Sequence, residues 1–350
     1  MELDFIAFVV SFLVVVFFTP SLIKVAELKG LIDKPDQERK IHRGDIPTIG
    51  GIMIFAGTLL GFTLCYPSPY LDTLNYLTGS ILILFFVGIK DDIIGTDPLK
   101  KLAAQILVSA IMVVLADVRL KSLHGVFHVY EVPYWLSISL SLFTFIVVIN
   151  AFNLIDGVDG LSGGVGFIGA LFFGIWFLLA GNSVESCLCF SLAGSLAGFL
   201  GYNFSPARIF MGDSGSLTIG LIMSYLAIRL IEYPNSFYLV KPLDLISKPS
   251  LVVSLLFYPL TDTLRIFLYR IFRGRSPFSA DRNHVHHRLL DAGFNHRQTV
   301  LIIYSITIIS VVSAVVTMNW GPSRSLFVVI GAPLLGFQIP YYYKTRQWLY

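Results

Sequence analysis

Four clusters of polar residues interrupt an otherwise apolar chain: Asp91-Asp92, Asn150 to Gly160 (NAFNLIDGVDG), Met211 to Leu217 (MGDSGSL) and Asp281 to Arg288 (DRNHVHHR). They include aspartates 91, 92, 156, 159 and 213, asparagines 150 and 153, and histidines 284, 286 and 287. Oxygen donors of this kind suit a hard cation such as Mg2+, which keeps several waters and bridges to phosphates. Adjacent carboxylates such as Asp91 and Asp92 repel, so burying both needs a cation or a shared proton; taken alone, the pair reads equally well as a solvated helix end. Asp156 and Asp159 stand three apart in a glycine-rich turn where backbone can approach a ligand closely. Asp213 and Ser214 are N-cap candidates at the start of an apolar run, and a helix N-terminus is a natural phosphate site. The three histidines match no common zinc spacing and have no cysteine beside them. Hydrogen bonding to a phosphate or sugar is their better reading.

The elements that must position these residues are membrane helices. The 350 residues are 55% hydrophobic and 13% charged, against about 25% charged in a soluble protein. Apolar stretches recur at the length that crosses roughly 30 Å of hydrocarbon. Eleven helices are expected, at roughly 5–24, 49–66, 73–89, 102–118, 134–152, 161–180, 185–202, 214–231, 250–269, 299–318 and 325–343. Pro259 and Pro333 should kink the last-but-two and the last of them. The expected fold class is therefore an all-α polytopic bundle forming one integral membrane domain over residues 1–350, without internal repeats.

Charge orients the bundle. The loops after odd-numbered helices, with the C-terminus, carry 18 Lys and Arg, and the opposite loops carry 6. The positive-inside rule then puts the N-terminus outside, the C-terminus in the cytoplasm and all four polar clusters on the cytoplasmic face. A net charge of +3, spread over many loops, gives no case for nucleic acid. Cys65, Cys187 and Cys189 all fall in apolar segments and read as small hydrophobes, not as a disulfide framework. Asp262 and Arg265 form an i,i+3 pair inside an apolar segment. Such a pair is either functional or self-neutralising.

Together these residues, from the PTIGG of Pro47–Gly51 to the loop ending near Arg297, resemble the polyprenyl-phosphate N-acetylhexosamine-1-phosphate transferases. The stretch SPFSADRNHVHHRLLDAGF (Ser276 to Phe294) is similar to the bacterial undecaprenyl-phosphate N-acetylglucosamine-1-phosphate branch. The muramoyl-pentapeptide branch carries a three-histidine run instead, and Arg288 and Leu289 occupy the discriminating positions here. The resemblance implies a UDP-sugar donor, a polyprenyl-phosphate acceptor in membrane lipid and Mg2+ as cofactor, with Mn2+ as substitute; a homodimer is compatible with it. It implies Asp91 and Asp92 as the essential catalytic pair, and Asn153 and Asp213 as metal ligands. Asn150, Asp156, Asp159, His284, His286 and His287 would bind the nucleotide-sugar, and Lys100 and Lys101 the lipid phosphate. Asp91 would act as base or steering group, or alternatively as a covalent nucleophile. The rival of a different class, a cation-coupled transporter, would place its carboxylates at the bilayer midplane between related halves, which this sequence does not show.

Overall fold

The computed structural model describes residues 2–33, 46–66, 72–234, 240–274 and 284–338. Among the described residues the chain is helical, with two short antiparallel ribbons. The helices are α1 (Glu2–Lys29), α2 (Gly51–Cys65), α3 (Asp72–Ile94), α4 (Pro98–Ala110, continued by a π turn Ile111–Leu115), α5 (Tyr134–Leu154), α6 (Leu161–Ala180) and α7 (Ser183–Asn203). There follow α8 (Gly212–Glu232), α9 (Lys248–Leu255), α10 (Phe257–Phe272), α11 (Val285–Asp291), α12 (His296–Val316) and α13 (Pro322–Leu334). β1 (Ile32–Asp33) pairs with β2 (Ile46–Pro47), and β3 (Ser122–Val126) with β4 (Val129–Glu131). Among the described residues, seven helices are long and apolar enough to cross a membrane: α1, α4 with its π turn, α5, α6, α7, α8 and α12. The bent pair α9–α10 would be an eighth.

α8 is the axis of the bundle, buried along nearly its whole length and packed by α2, α3, α5 and α6. α1 lies along α7 and α2 on one side. Pro20 sits inside α1 and leaves the Val16 carbonyl without its helical N–H. The Tyr202 hydroxyl of α7 donates to that carbonyl at 2.8 Å, so the helix runs on intact to Lys29.

Two expectations about breaks are corrected. The chain bends by 75° between α9 and α10 at Leu256, ahead of Pro259. Pro259 occupies the first turn of α10, where its missing N–H would have had no helical acceptor. Pro333 falls in the last turn of α13, which gives way to a 3-10 turn at Gly336–Gln338. The β3–β4 hairpin was not expected either. It turns through Phe127 and His128, both at positive φ (51° and 63°), as a two-residue turn of the type usually built from Asn-Gly requires.

Candidate active site

The site is built at the N-terminus of α8. The helix begins at Gly212, so Asp213 and Ser214 lie inside its first turn and do not cap it, contrary to expectation. The cap comes from α3. Asp92 accepts the Asp213 N–H on Oδ1 at 2.7 Å and the Ser214 N–H on Oδ2 at 3.1 Å. One carboxylate thus satisfies two amides that a helix start leaves unpartnered and sits at the positive end of the helix dipole. Gly212 makes this contact possible: its φ is +71°, and a Cβ there would stand 2.1 Å from the Thr48 carbonyl and 2.6 Å from Asp92 Oδ1. The Pro47–Gly51 motif closes the junction from α2 through backbone pairing. Phe210 N–H donates to the Pro47 carbonyl at 2.7 Å, Gly50 N–H to Phe210 at 2.9 Å and Gly51 N–H to Met211 at 2.8 Å.

With its backbone fixed, Asp213 is free to use its side chain. Oδ1 accepts the Asn153 amide at 2.9 Å, and Oδ2 accepts the Lys101 ammonium. Lys101 also reaches Asp91 Oδ2 at 3.1 Å. The adjacent aspartates therefore divide their work: Asp92 holds the helix, while Asp91 faces Lys101. The lysines divide likewise, since Lys100 is exposed and Lys101 half-buried in the cluster. Asn153 also bonds Ser216 Oγ at 3.0 Å from the last turn of α5. One turn earlier, the Asn150 amide is engaged by Gln105 Oε1 at 2.6 Å and the Ile146 carbonyl at 2.8 Å, a pairing that ties α5 to α4.

Asp156 lies in the turn between α5 and α6. Loss of hydration, then the nearby carboxylates of Asp213 and Asp92, hold its carboxyl well above the usual range. Asp92 is pushed up to about 6, burial outweighing the amides that favour its charge. Asp159 turns the other way. It is buried, accepts the Ala207 N–H at 3.1 Å and lies 3.6 Å from His296 Nδ1, bracing the 204–209 loop.

The histidines approach from α11. His284 and His286 are buried and stack with ring centroids 5.2 Å apart, and His287 lies 4.4 Å from His286. His286 is turned toward the Asp156–Gly157 turn: a Cβ on Gly157 would stand 3.2 Å from its Nε2. Burial pushes His286 well below the ordinary imidazole range, so it is neutral. Asp262 of α10, which the sequence left open as functional or as self-neutralising with Arg265, accepts His284 Nδ1 at 2.7 Å, the Val285 N–H at 3.0 Å and Arg265 Nη2 at 3.1 Å. Its signal was present as an ionisable residue inside an apolar helix. Among the described residues, Asp262, His284 and His286 can bring ligand atoms within 4.8 Å of one another. The Asp262–His284 bond and a Tyr258–His286 bond of 3.1 Å occupy them. Asp281, Arg282 and Asn283, and the cationic Arg39, Lys40 and Arg43, lie outside the described residues.

The donor set at α8 fits a hard divalent cation better than a soft one. Four carboxylates (91, 92, 156 and 213) gather near one helix start, and Lys101 already bridges two of them as a cation would. Asn153 offers a carbonyl oxygen to the same space after a half-turn of its amide. The cysteines are buried elsewhere in the bundle, so the oxygen donors stand without thiolates.

A helical membrane bundle with acidic, amide and ammonium groups gathered at one helix end is the frame that the comparisons join to a family. The chain belongs to glycosyl transferase family 4, whose model matches residues 74–231, and within it to the polyprenyl-phosphate N-acetylhexosamine-1-phosphate transferases. It is 33% identical to a probable undecaprenyl-phosphate N-acetylglucosaminyl 1-phosphate transferase of Bacillus subtilis, over 93% of this chain and 87% of that one. It is 34% identical to a decaprenyl-phosphate N-acetylglucosaminephosphotransferase of Mycobacterium leprae, over 85% and 79%. The undecaprenyl-phosphate alpha-N-acetylglucosaminyl 1-phosphate transferase of Salmonella typhi is 32% identical, over 93% and 86%.

Proposed function

We propose that the protein transfers N-acetylglucosamine 1-phosphate from its UDP-sugar to undecaprenyl phosphate, releasing UMP and leaving a polyprenyl-diphosphate-linked sugar. This would be the first membrane step of a cell-envelope polysaccharide. The observation that carries the reading is the convergence of Asp91, Lys101, Asn153 and Asp213 at the α8 N-terminus, in a chain whose relatives are named for this reaction over nearly their full length. Those names favour the N-acetylglucosamine branch over the muramoyl-pentapeptide one.

In this reading an oxygen of the lipid phosphate attacks the phosphorus that bears the sugar, and the bond to the UMP phosphate breaks. Lys101 draws the lipid phosphate toward Asp91, which steers it or takes its remaining proton. The acceptor is already an anionic oxygen, so positioning matters more than activation; direct attack is preferred to an aspartyl-phosphate intermediate. Asn153 and Asp213 would hold Mg2+, with Asp156 and the histidine loop placed toward the diphosphate and sugar. When bound, the ion supplies neutralisation of charge developing on the leaving phosphate. Asp92 serves the reaction indirectly, by fixing the helix that carries Asp213.

Eleven spans rest on the apolar runs of the sequence, and the cytoplasmic placement of the cluster on the 18-to-6 charge split. The geometry supports a common face: the site joins the end of α3, the start of α4, the end of α5 and the start of α8, while β3–β4 meets the far end of α8 where the Ser122 N–H donates to Glu232 at 3.1 Å. UMP release by the purified protein, assayed with undecaprenyl phosphate and a panel of UDP-sugars, tests the function. Turnover with UDP-N-acetylglucosamine that requires the lipid is expected. Exchange of labelled UMP into UDP-sugar without the lipid would replace direct attack by the covalent route.

A further inference from the structure

Two imidazoles of the histidine loop are tied to α10 through chemically opposite partners. Asp262, fully buried, accepts from His284 Nδ1 on Oδ2 at 2.7 Å, and from the Val285 N–H and Arg265 Nη2 on Oδ1 at 3.0 and 3.1 Å. A carboxylate surrounded by donors acts as acceptor only, so His284 carries a proton on Nδ1, and in the neutral ring its Nε2 then holds the lone pair. Tyr258, one turn earlier on α10, is also fully buried. Its oxygen faces the His286 backbone N–H and lies 3.1 Å from His286 Nδ1. Among the described residues this nitrogen is the acceptor available to the hydroxyl proton, and a buried hydroxyl left without one is unfavourable. His286 therefore accepts on Nδ1 and carries its proton on Nε2, the edge turned toward the Asp156–Gly157 turn.

We propose that Asp262 and Tyr258 are positioning residues that lock His284 and His286 in opposite tautomers, so that one loop offers the substrate both an acceptor and a donor. The inference rests on the reading that this loop addresses the diphosphate-sugar. The Nε2–H of His286 suits a phosphate oxygen. The Nε2 lone pair of His284 suits an O–H or N–H of the sugar. A parallel stack with a 9° interplanar angle keeps the two rings in fixed register. The arrangement follows the logic by which a buried carboxylate selects the tautomer of a catalytic imidazole in hydrolases, here applied to binding polarity.

The test is solid-state NMR of the full-length protein labelled with 15N-histidine, with His284→Gln and His286→Gln supplying the assignments. His284 should be protonated at Nδ1 and His286 at Nε2. Asp262→Asn should shift His284 toward the Nε2–H form and leave His286 unmoved; Tyr258→Phe should perturb His286 and leave His284 unmoved. In steady-state assays Asp262→Asn should lower kcat/KM for the UDP-sugar roughly 100-fold, the order expected for losing one oriented substrate contact. The KM for undecaprenyl phosphate should stay within about twofold, a split that general loosening of the fold would not produce. Identical tautomers on the two rings, an imidazolium at His284 in the resting protein, or His284 indifferent to Asp262→Asn would overturn the proposal. If Asp262→Asn does not fold, the wild-type spectrum and Tyr258→Phe still decide it. The tautomer measurement needs no turnover, so its outcome is separable from that of the transferase reading.

Discussion

Asp91 and Asp92 are neighbours in sequence, yet one faces an ammonium and the other two backbone amides. Substitution should separate them. Asp91→Asn should cost roughly 100- to 10,000-fold in kcat, as loss of a proton-transfer or steering group does, with thermal unfolding in detergent nearly unchanged. Asp92→Asn replaces an acceptor oxygen by a donor against an amide, and should cost roughly 1.5–3 kcal/mol of stability. The reverse pattern would reassign the pair. The carboxyls also predict how a metal ion and protons compete. Burial pushes Asp92 up to about 6, and loss of hydration with the nearby carboxylates holds Asp156 well above its usual range, so below about pH 6 the folded protein holds protons beside Asp213 that the charge of an incoming cation would expel. Mg2+ affinity should therefore weaken as pH falls through about 6, and binding should release protons. Calorimetry in buffers of different ionisation enthalpy measures both. Affinity independent of pH between 5 and 7 would mean that protons on these neighbouring carboxyls do not compete with the ion.

At the scale of elements, the α8 N-terminus depends on close backbone approach, and glycine substitutions isolate that requirement. Gly95, between α3 and α4, and Gly212 both have positive φ, at +76° and +71°. Only Gly212 has neighbours where a Cβ would go. Gly95→Ala should cost roughly 1–2 kcal/mol for the left-handed backbone alone. Gly212→Ala should cost clearly more and abolish turnover, read by thermal unfolding and activity on matched samples. Equal effects would mean that the Thr48–Gly212–Asp92 contact is not needed. Hydropathy located the helical segments because each is a continuous apolar run, and polar interruptions located the residues of the site. It did not show that Asp92 caps α8 across 121 positions, or that Asn150 pairs with Gln105, because both are tertiary contacts between residues of unremarkable type. The break at Leu256 was misplaced to Pro259 for a related reason. Proline marks where a helix can begin as readily as where it kinks. The Phe127–His128 turn lacks the Asn-Gly signature that such hairpins usually show.

For the whole molecule, the proposed topology puts two sets of features on opposite membrane faces: the carboxylate cluster at one end and the β3–β4 hairpin at the other. In a background with Cys65, Cys187 and Cys189 replaced, Lys90→Cys should be shielded from an impermeant thiol reagent in intact cells, and Glu131→Cys should label. Both side chains are exposed, so burial does not confound the comparison, and labelling of Lys90→Cys alone would invert the topology. The central claim is that a sugar and its phosphate leave the nucleotide together. It is tested most directly by giving the purified protein undecaprenyl phosphate and UDP-N-acetylglucosamine carrying 14C in the sugar and 32P in the sugar-bearing phosphate. Both labels should enter the lipid product in equal amounts, with UMP as the nucleotide released, and Asp91→Asn and Asp213→Asn should lose both together. Sugar label in the lipid without 32P, accompanied by UDP, would contradict the account.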